Sequence, residues 1–371
     1  MARSSTKVNC ALYHGDRAAL AAMPVSVGWL RWRPCDMLDQ MFGGRAVTLT
    51  LSVLAVCGLL MAVAVWLLTE PFVRASDAAT KDASDPQRVA RLEATVRALS
   101  ERYVPRDHRH VDNLDAVARY ISDELQQTGA TVSEQTWQAN GRTYRNVIAR
   151  YGGDGTERVI VGAHYDACGE ENPGADDNAS GVAGLLELAR LFAKKPPMLP
   201  VELVAWSLEE PPYFRTAEMG SAVHARSLAT SGIRVRAMIS LEMIGYFSDA
   251  EDSQGFPVSA LKLLYPTKGN YISVVGKLGQ SGLVRRIKSA MRGASSLPVY
   301  SISAPRLIPG IDFSDHQNYW DEGWPAVMIT DTAFYRNQNY HTENDKADTL
   351  NYQKMAQVID GVETAIRLIA K

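Results

Sequence analysis

The chain has 371 residues, of which 46% are hydrophobic and 22% charged, the proportions of a folded globular protein and not of a disordered or low-complexity segment. Its 39 Lys and Arg nearly balance 41 Asp and Glu, so the formal charge of −2 offers no basic field for nucleic acid. Cys10, Cys35 and Cys57 lie near the N-terminus and Cys168 stands alone in the large remainder, which excludes a disulfide scaffold or a cysteine-rich zinc module there.

Residues 1–40 show no sustained hydrophobic period, and 1–45 are expected to form a cytoplasmic segment. Met23, Met37 and Met41 offer later translation starts, the last leaving only the basic flank MFGGR. Residues 46–68, AVTLTLSVLAVCGLLMAVAVWLL, carry no charge and as a helix span about 35 Å, enough for one membrane crossing. Arg3, Lys7, Arg17, Arg31, Arg33 and Arg45 outnumber the acidic residues before the span, which places the N-terminus in the cytoplasm. The expectation is a single-pass inner-membrane protein whose large domain faces the periplasm or exterior. The small residues of VRASDA keep a cleaved signal sequence, and hence secretion, as the alternative. Residues 69–84 are small and polar, as suits a tether.

A folded domain over 85–371 is expected to follow. Asp85 before Pro86 reads as a helix cap and first-turn pair, and Val89, Leu92, Val96 and Leu99 recur at helical spacing up to Ser100. Leu114, Val117, Ala118, Ile121 and Leu125 repeat that period, Gly129 ends it, and alternation over 131–137 and 144–151 predicts strands. Short apolar runs at 158–163, 201–206, 237–241 and 326–329 read as buried central strands, with helices over 181–193 and 352–369. Strands and helices in this order predict a three-layer αβα sandwich. In such folds ligands gather beyond the carboxyl ends of strands, where this sequence places His164 to Asp166, Glu209 with Glu210, and Glu242.

His164, Asp166, Asp176, Asp177, Glu209, Glu210, Glu242, Asp315, His316 and His341 form a set of imidazoles and carboxylates that suits zinc or a related divalent ion. Singly, each reads as an ordinary hydrogen-bonded His or a helix-capping Asp. Their accumulation at successive strand ends does not.

The segments VIVGAHYDA, GADDNASGVAGLLELAR, LVAWSLEE, AEMGS, ISLEMIGY, FSDHQNYW with GWPAVM, and YHTENDKADTL resemble, in order, those of peptidase family M28, the zinc aminopeptidases related to glutaminyl cyclases. The resemblance covers roughly 85–371 and implies a mixed, mostly parallel sheet of the zinc aminopeptidase type. It implies two zinc ions per chain: one held by His164 and Glu242, the other by Glu210 and His341, with Asp177 bridging. The +4 of two ions would offset the −3 of Asp177, Glu210 and Glu242. Glu209 resembles the general base that takes a proton from a metal-activated water and passes it to the leaving amine. Tyr340 resembles a hydrogen-bond donor to the tetrahedral oxyanion. Behind the ligands, Asp166 would accept the other imidazole proton of His164, and Asp176 would act as support or as a cap. The resemblance also implies a cis bond between Asp177 and Asn178.

Ser314, Asp315 and His316 are consecutive and cannot converge as a serine hydrolase triad, and no GxSxG elbow occurs. Ser314 reads as a helix cap, with Asp315 and His316 supporting the ligands or facing substrate. Cys168 reads as a buried bystander, and His14, His108, His110 and His224 as surface or packing residues. The segment PPYFRTA after Glu210 and the excursion 247–270 are expected over the substrate entrance. The expected activity is exopeptidase removal of N-terminal residues from peptides. The alternatives are a glutaminyl-peptide cyclase, a carboxypeptidase using Arg215 or Arg306, and a non-catalytic peptide-binding member of the fold.

Overall fold

The computed structural model describes residues 43–76 and 85–371. The expected cytoplasmic segment thus falls almost wholly outside the described residues, with Cys10, Cys35 and His14, as does the 77–84 part of the expected tether. The chain divides into two compact units after Leu60. The described part of the first is the start of helix α1 (Gly43–Thr69), whose Leu49, Leu51, Leu54 and Leu59 are all exposed. A helix apolar on every face is a candidate membrane span, here over Val47–Thr69.

The second unit, Met61–Lys371, holds the α/β fold. Helix α2 (Pro86–Arg97) begins as its sequence dictates, with Asp85 accepting a bond from the Gln87 amide and Pro86 in the first turn. A wider turn over Ala98–Arg102 extends it. Helix α3 (Val111–Gln126) leads into the hairpin of β1 (Thr131–Ala139) and β2 (Arg142–Tyr151). Next come β3 (Glu157–His164), α4 (Gly181–Lys194), β4 (Val201–Trp206), α5 (Gly220–Thr230) and β5 (Arg234–Glu242). The chain continues through β6 (Ile272–Lys277), α6 (Ser281–Ala294), β7 (Val299–Ala304), α7 (His316–Asp321), β8 (Ala326–Thr330) and α8 (Tyr352–Ile369).

The eight strands form one sheet in the order β1-β2-β4-β3-β5-β8-β6-β7. The central pairs β4-β3, β3-β5 and β5-β8 are parallel, as is the edge pair β6-β7, whereas β1-β2, β2-β4 and β8-β6 are antiparallel. Alternation sorts the side chains: Val159, Val161, Leu203 and Ile239 face a large core with α2, α3, α4, α6 and α8. Ile160, Val204, Trp206 and Met238 face a smaller core with α5 and α7. This is the expected three-layer sandwich, its parallel strands buried on both faces.

One expectation is overturned. Residues 69–76 are docked on α6, not free as a tether. The buried Lys288 ammonium donates to the Thr69 and Glu70 carbonyls at 3.1 and 2.8 Å, and Arg285 grips the Glu70 carboxylate with two bonds of 2.9 and 3.0 Å. Arg292 donates to the Val73 carbonyl and the Ser76 amide to the Ser289 carbonyl. Gly293 permits the approach, since a Cβ there would lie 2.4 Å from Ser76 Oγ. Small polar side chains suggested mobility, but most of these bonds use backbone groups that any residue offers.

Candidate metal centre

Strands β3, β4 and β5 lie side by side and parallel, so His164, the Glu209–Glu210 pair and Glu242 emerge together at their carboxyl ends. The turn before α4 delivers Asp177, and the loop after β8 delivers His341. His164 Nε2 stands 3.2 Å from Asp177 Oδ1 and 3.5 Å from Glu242 Oε2. His341 Nε2 stands 3.1 Å from Asp177 Oδ2 and 3.2 Å from Glu210 Oε2. The two oxygens of Asp177 therefore point to different histidines.

Close approach here is not hydrogen bonding, for His164 Nε2, His341 Nε2 and Glu210 Oε1 are buried without a hydrogen-bond partner. Orphaned buried donors and acceptors carry a large desolvation cost. Donors held about 2.1 Å from one tetrahedral cation lie about 3.4 Å apart, the spacing observed. Residues His164, Asp177 and Glu242 form one such group and Glu210 with His341 belongs to another. The donor set, nitrogen and carboxylate oxygen, fits zinc or a similar divalent ion.

The backbone prepares these positions. Gly174 adopts a left-handed φ of 62°, and a Cβ on it would strike the Asp177 carbonyl oxygen at 2.4 Å. The Asp177–Asn178 bond is cis, the isomer that the resemblance implied. Asn178 ties this turn to β5 by donating to the Leu241 carbonyl and accepting from the Gly181 and Met243 amides. His341 is left-handed at φ 57°, a conformation that costs a non-glycine residue about 1–2 kcal/mol.

Behind the ligands the structure corrects several sequence assignments. His164 Nδ1 lies 3.2 Å from the backbone oxygen of Asp166 and 3.6 Å from its carboxylate. The Asp166 carboxylate instead accepts the Glu209 and Glu210 amides at 3.2 and 3.1 Å, fixing the turn that carries both. Asp176 accepts from the Gly245 amide and Asn337 and pairs with Asp331, which knits three loops without touching a histidine. Ser314 is no helix cap: its hydroxyl donates to Glu242 Oε2 at 2.7 Å, holding that carboxylate in place. Asp315 is buried near the cluster, and burial pushes it up to about 7 against the pull of His164. His316 does not face substrate, because its Nε2 bonds the Ile311 carbonyl and its ring packs edge-on to Trp320. Cys168 is half-buried, and its Sγ, a Glu210 oxygen and a His341 nitrogen lie within 4.8 Å of one another, so it borders the centre. His224 packs as expected, bonded to Tyr319.

Sequence reasoning passed over two buried supports. Asp345 accepts the Asp176 and Asp177 amides. Arg106 donates to the carbonyls of Leu99, Tyr165, Pro173 and Gly174, and burial lowers it to about 10 although Asp345 and Asp177 oppose that. Asp345 lies four residues beyond His341 in the segment YHTENDKAD, a signal that its motif could have supplied; an arginine bonded only to carbonyls leaves no such pattern.

Glu209 is buried beside the ligands. Burial raises it well above the usual carboxylate range, His164 opposing and Glu242, Glu210 and Asp315 adding to the rise. Tyr340 stacks on His341 with centroids 3.7 Å apart, and burial, reinforced by Asp177 and Glu210, keeps its hydroxyl protonated. Next to Glu242 and Tyr340 opens a cavity of about 100 Å³ lined by Phe256, Leu261, Tyr265, Ile302, Phe313 and Met328. The 247–270 excursion supplies the first three of these. Phe214 of the PPYFRTA segment packs edge-on to Phe313.

Residues 146–366 match the family model for peptidase family M28. The chain is 50% identical over 304 residues to the uncharacterized protein YfbL of Escherichia coli K12, a match covering 80% of this chain and 92% of that protein. It is 27% identical over 225 residues to leucine aminopeptidase 1 of Phaeosphaeria nodorum, covering 57% of this chain and 52% of the relative, so it spans about half the length of that fungal enzyme. Among solved structures it is similar to BSAP, a zinc aminopeptidase from Bacillus subtilis, with a TM-score of 0.59 and 16% identity over 75% of this chain and 94% of that one. It is also similar to a glutaminyl cyclase from Bacteroides thetaiotaomicron, with a TM-score of 0.56 and 19% identity over 77% and 98%.

Proposed function

This chain belongs to peptidase family M28, and from that membership and the geometry above we propose that it is a membrane-anchored, zinc-dependent aminopeptidase. The observation that carries the reading is the convergence of His164, Asp177, Glu210, Glu242 and His341, with orphaned nitrogens and Asp177 in the middle, beside an apolar cavity. His164 and Glu242 would hold one zinc ion, Glu210 and His341 a second, and Asp177 both. Bound there, the metal would supply an activated water nucleophile and polarise the scissile carbonyl.

The protein groups divide the remaining work. Glu209, held by the Asp166 clasp on its amide, accepts the proton of the attacking water and returns it to the departing amine. Tyr340, protonated and fixed against His341, donates to the oxygen that gains negative charge. Arg215 and Arg306, which a carboxypeptidase would need free, are committed to Asp312 and Asp321. The cavity wall of Phe256, Tyr265 and Phe313 favours a bulky apolar first residue.

The anchor reading rests on α1 and on the docked segment after it. Cleavage at VRASDA would remove Glu70, whose carboxylate Arg285 holds, and the two carbonyls that Lys288 holds, leaving that buried ammonium only the Ser301 hydroxyl as acceptor. An uncleaved span with its basic flank inside would put the domain on the periplasmic face of an inner membrane.

The test follows peptides with free, acetylated, Gln-first and amidated ends by mass spectrometry, with zinc-loaded full chain in detergent. Stepwise loss from free N-termini, blocked by acetylation and fastest for Phe or Leu, is the expected result. Loss of ammonia from Gln-first peptides alone would select the cyclase instead, and release from the C-terminus would select a carboxypeptidase.

A further inference from the structure

The end of α1 and the docked segment form, with α6, a groove of about 410 Å³ lined by Trp66, Phe72, Arg74, Arg285, Arg286 and Leu368. We propose that this groove binds the headgroup of an anionic glycerophospholipid, so that the domain is held on the bilayer by a lipid as well as by its helix. The proposal rests on the reading of α1 as a membrane span.

Depth is the first argument. The span Val47–Thr69 as a helix covers about 35 Å, against about 30 Å for a hydrocarbon core and 40–45 Å with headgroups. Residues just past Thr69 therefore meet headgroups. The aromatic side chains there are exposed, Phe72 at 82% and Trp66 at 41%, in the manner of residues that belong at a membrane interface.

Charge is the second. Glu70 is 1% exposed and clamped by Arg285, so the one carboxylate of the groove is buried and neutralised. The Arg285 guanidinium also lies 5.7 Å over the Trp66 ring, which holds the aromatic wall. Arg74 and Arg286 are exposed, and among the described residues neither guanidinium has a carboxylate within ion-pair distance; Arg286 makes a single long bond of 3.4 Å to the Leu368 carbonyl. Two unpaired guanidinium groups at the rim of an apolar floor complement a phosphodiester above acyl chains. A headgroup carrying an ammonium would oppose them with like charge, which selects anionic over zwitterionic lipid.

The full chain is reconstituted in nanodiscs of mixed phosphatidylcholine and phosphatidylglycerol, and the lipids retained on release from the disc are measured by native mass spectrometry. Wild type is expected to retain phosphatidylglycerol preferentially, and the doubly substituted Arg74→Gln, Arg286→Gln chain to lose roughly fivefold of that preference for each arginine. Its peptidase activity, measured on the same sample, is expected to be unchanged and reports that the fold is intact. Equal retention of both lipids by wild type, or an undiminished preference in the variant, overturns the proposal. Carbonate washing of membranes separates the two readings: a chain that washes off refutes the span and the lipid site together, whereas a retained chain without lipid preference refutes only the site.

Discussion

Glu202 lies within β4 and Glu210 just beyond its end, both buried, yet their surroundings treat the two charges in opposite ways. Glu202 is met by Arg150 at 2.9 Å, by Arg158, and by His224 at 3.5 Å. Burial alone would raise its pKa, but His224 and Arg158 outweigh this and bring it down to about 2. Glu210 faces Asp177 and Glu209, with His341, His164 and Arg106 to oppose them but no guanidinium bonded to it, and burial together with Asp177 pushes it up to about 7. One cluster is neutralised by its own side chains; the other is left anionic, its donors aimed at a common centre. A protein that can surround one buried carboxylate with two guanidinium groups at one end of a strand has no general difficulty doing so at the other. The deficit beyond β4 supports the proposal that a cation from outside completes the site.

Breaking the anionic cluster has the largest expected effect. Asp177→Ala removes the carboxylate between the two histidines, and it is expected to abolish both peptidase activity and zinc binding, read by turnover and by metal analysis of the purified chain. Glu209→Gln sharpens the distinction between holding metal and moving protons. It should lower kcat by about 10²- to 10⁴-fold and leave zinc content unchanged; unaltered turnover would refute its role.

The paired cluster should respond in stability instead. Glu202→Gln leaves Arg150 and Arg158 without their carboxylate and is expected to destabilise the fold by about 3–5 kcal/mol in denaturant unfolding, with kcat per folded molecule retained. Because the folded pKa of Glu202 is depressed, its contribution is fully present above about pH 4.5 and is lost as pH falls toward 2. The variant should therefore show a flatter loss of stability across that window. Chelation provides the reverse contrast, lowering the thermal midpoint of wild type and of the Glu202 variant by similar amounts. The smallest effect belongs to His316, which burial lowers to about 4. Its depressed pKa makes stability fall as pH drops from about 6.5 toward 4, and His316→Gln should remove that component, at most about 3 kcal/mol, from acid unfolding curves.

The central layers of this fold are legible in the sequence because parallel strands buried on both faces appear as unbroken apolar runs, as in VELVAW. The β6–α6–β7 unit escaped that reading. VYSISA alternates Val, Ser and Ala with partly exposed Tyr300 and Ile302, and α6 carries Arg285, Arg286, Lys288 and Arg292 among few apolar residues. Much of that charge is explained by the docked segment it grips, a long-range partner that no local period reveals. In the candidate centre, the residues at strand ends could be named from motif and position. Their supports could not, because the Asp166 clasp, the Ser314 bond to Glu242 and the Arg106 cradle all engage groups distant in sequence, many of them backbone.

The central claim is that the converging donors of His164, Asp177, Glu210, Glu242 and His341, three of which carry an orphaned atom, are completed by metal. The most direct test strips the full chain of metal in detergent, titrates zinc, and counts bound ions by native mass spectrometry alongside the thermal midpoint. Wild type should take up two ions with a rise in midpoint, and Asp177→Ala should take up fewer with little rise. A wild-type chain that binds no zinc, or binds it equally well without Asp177, would contradict the account.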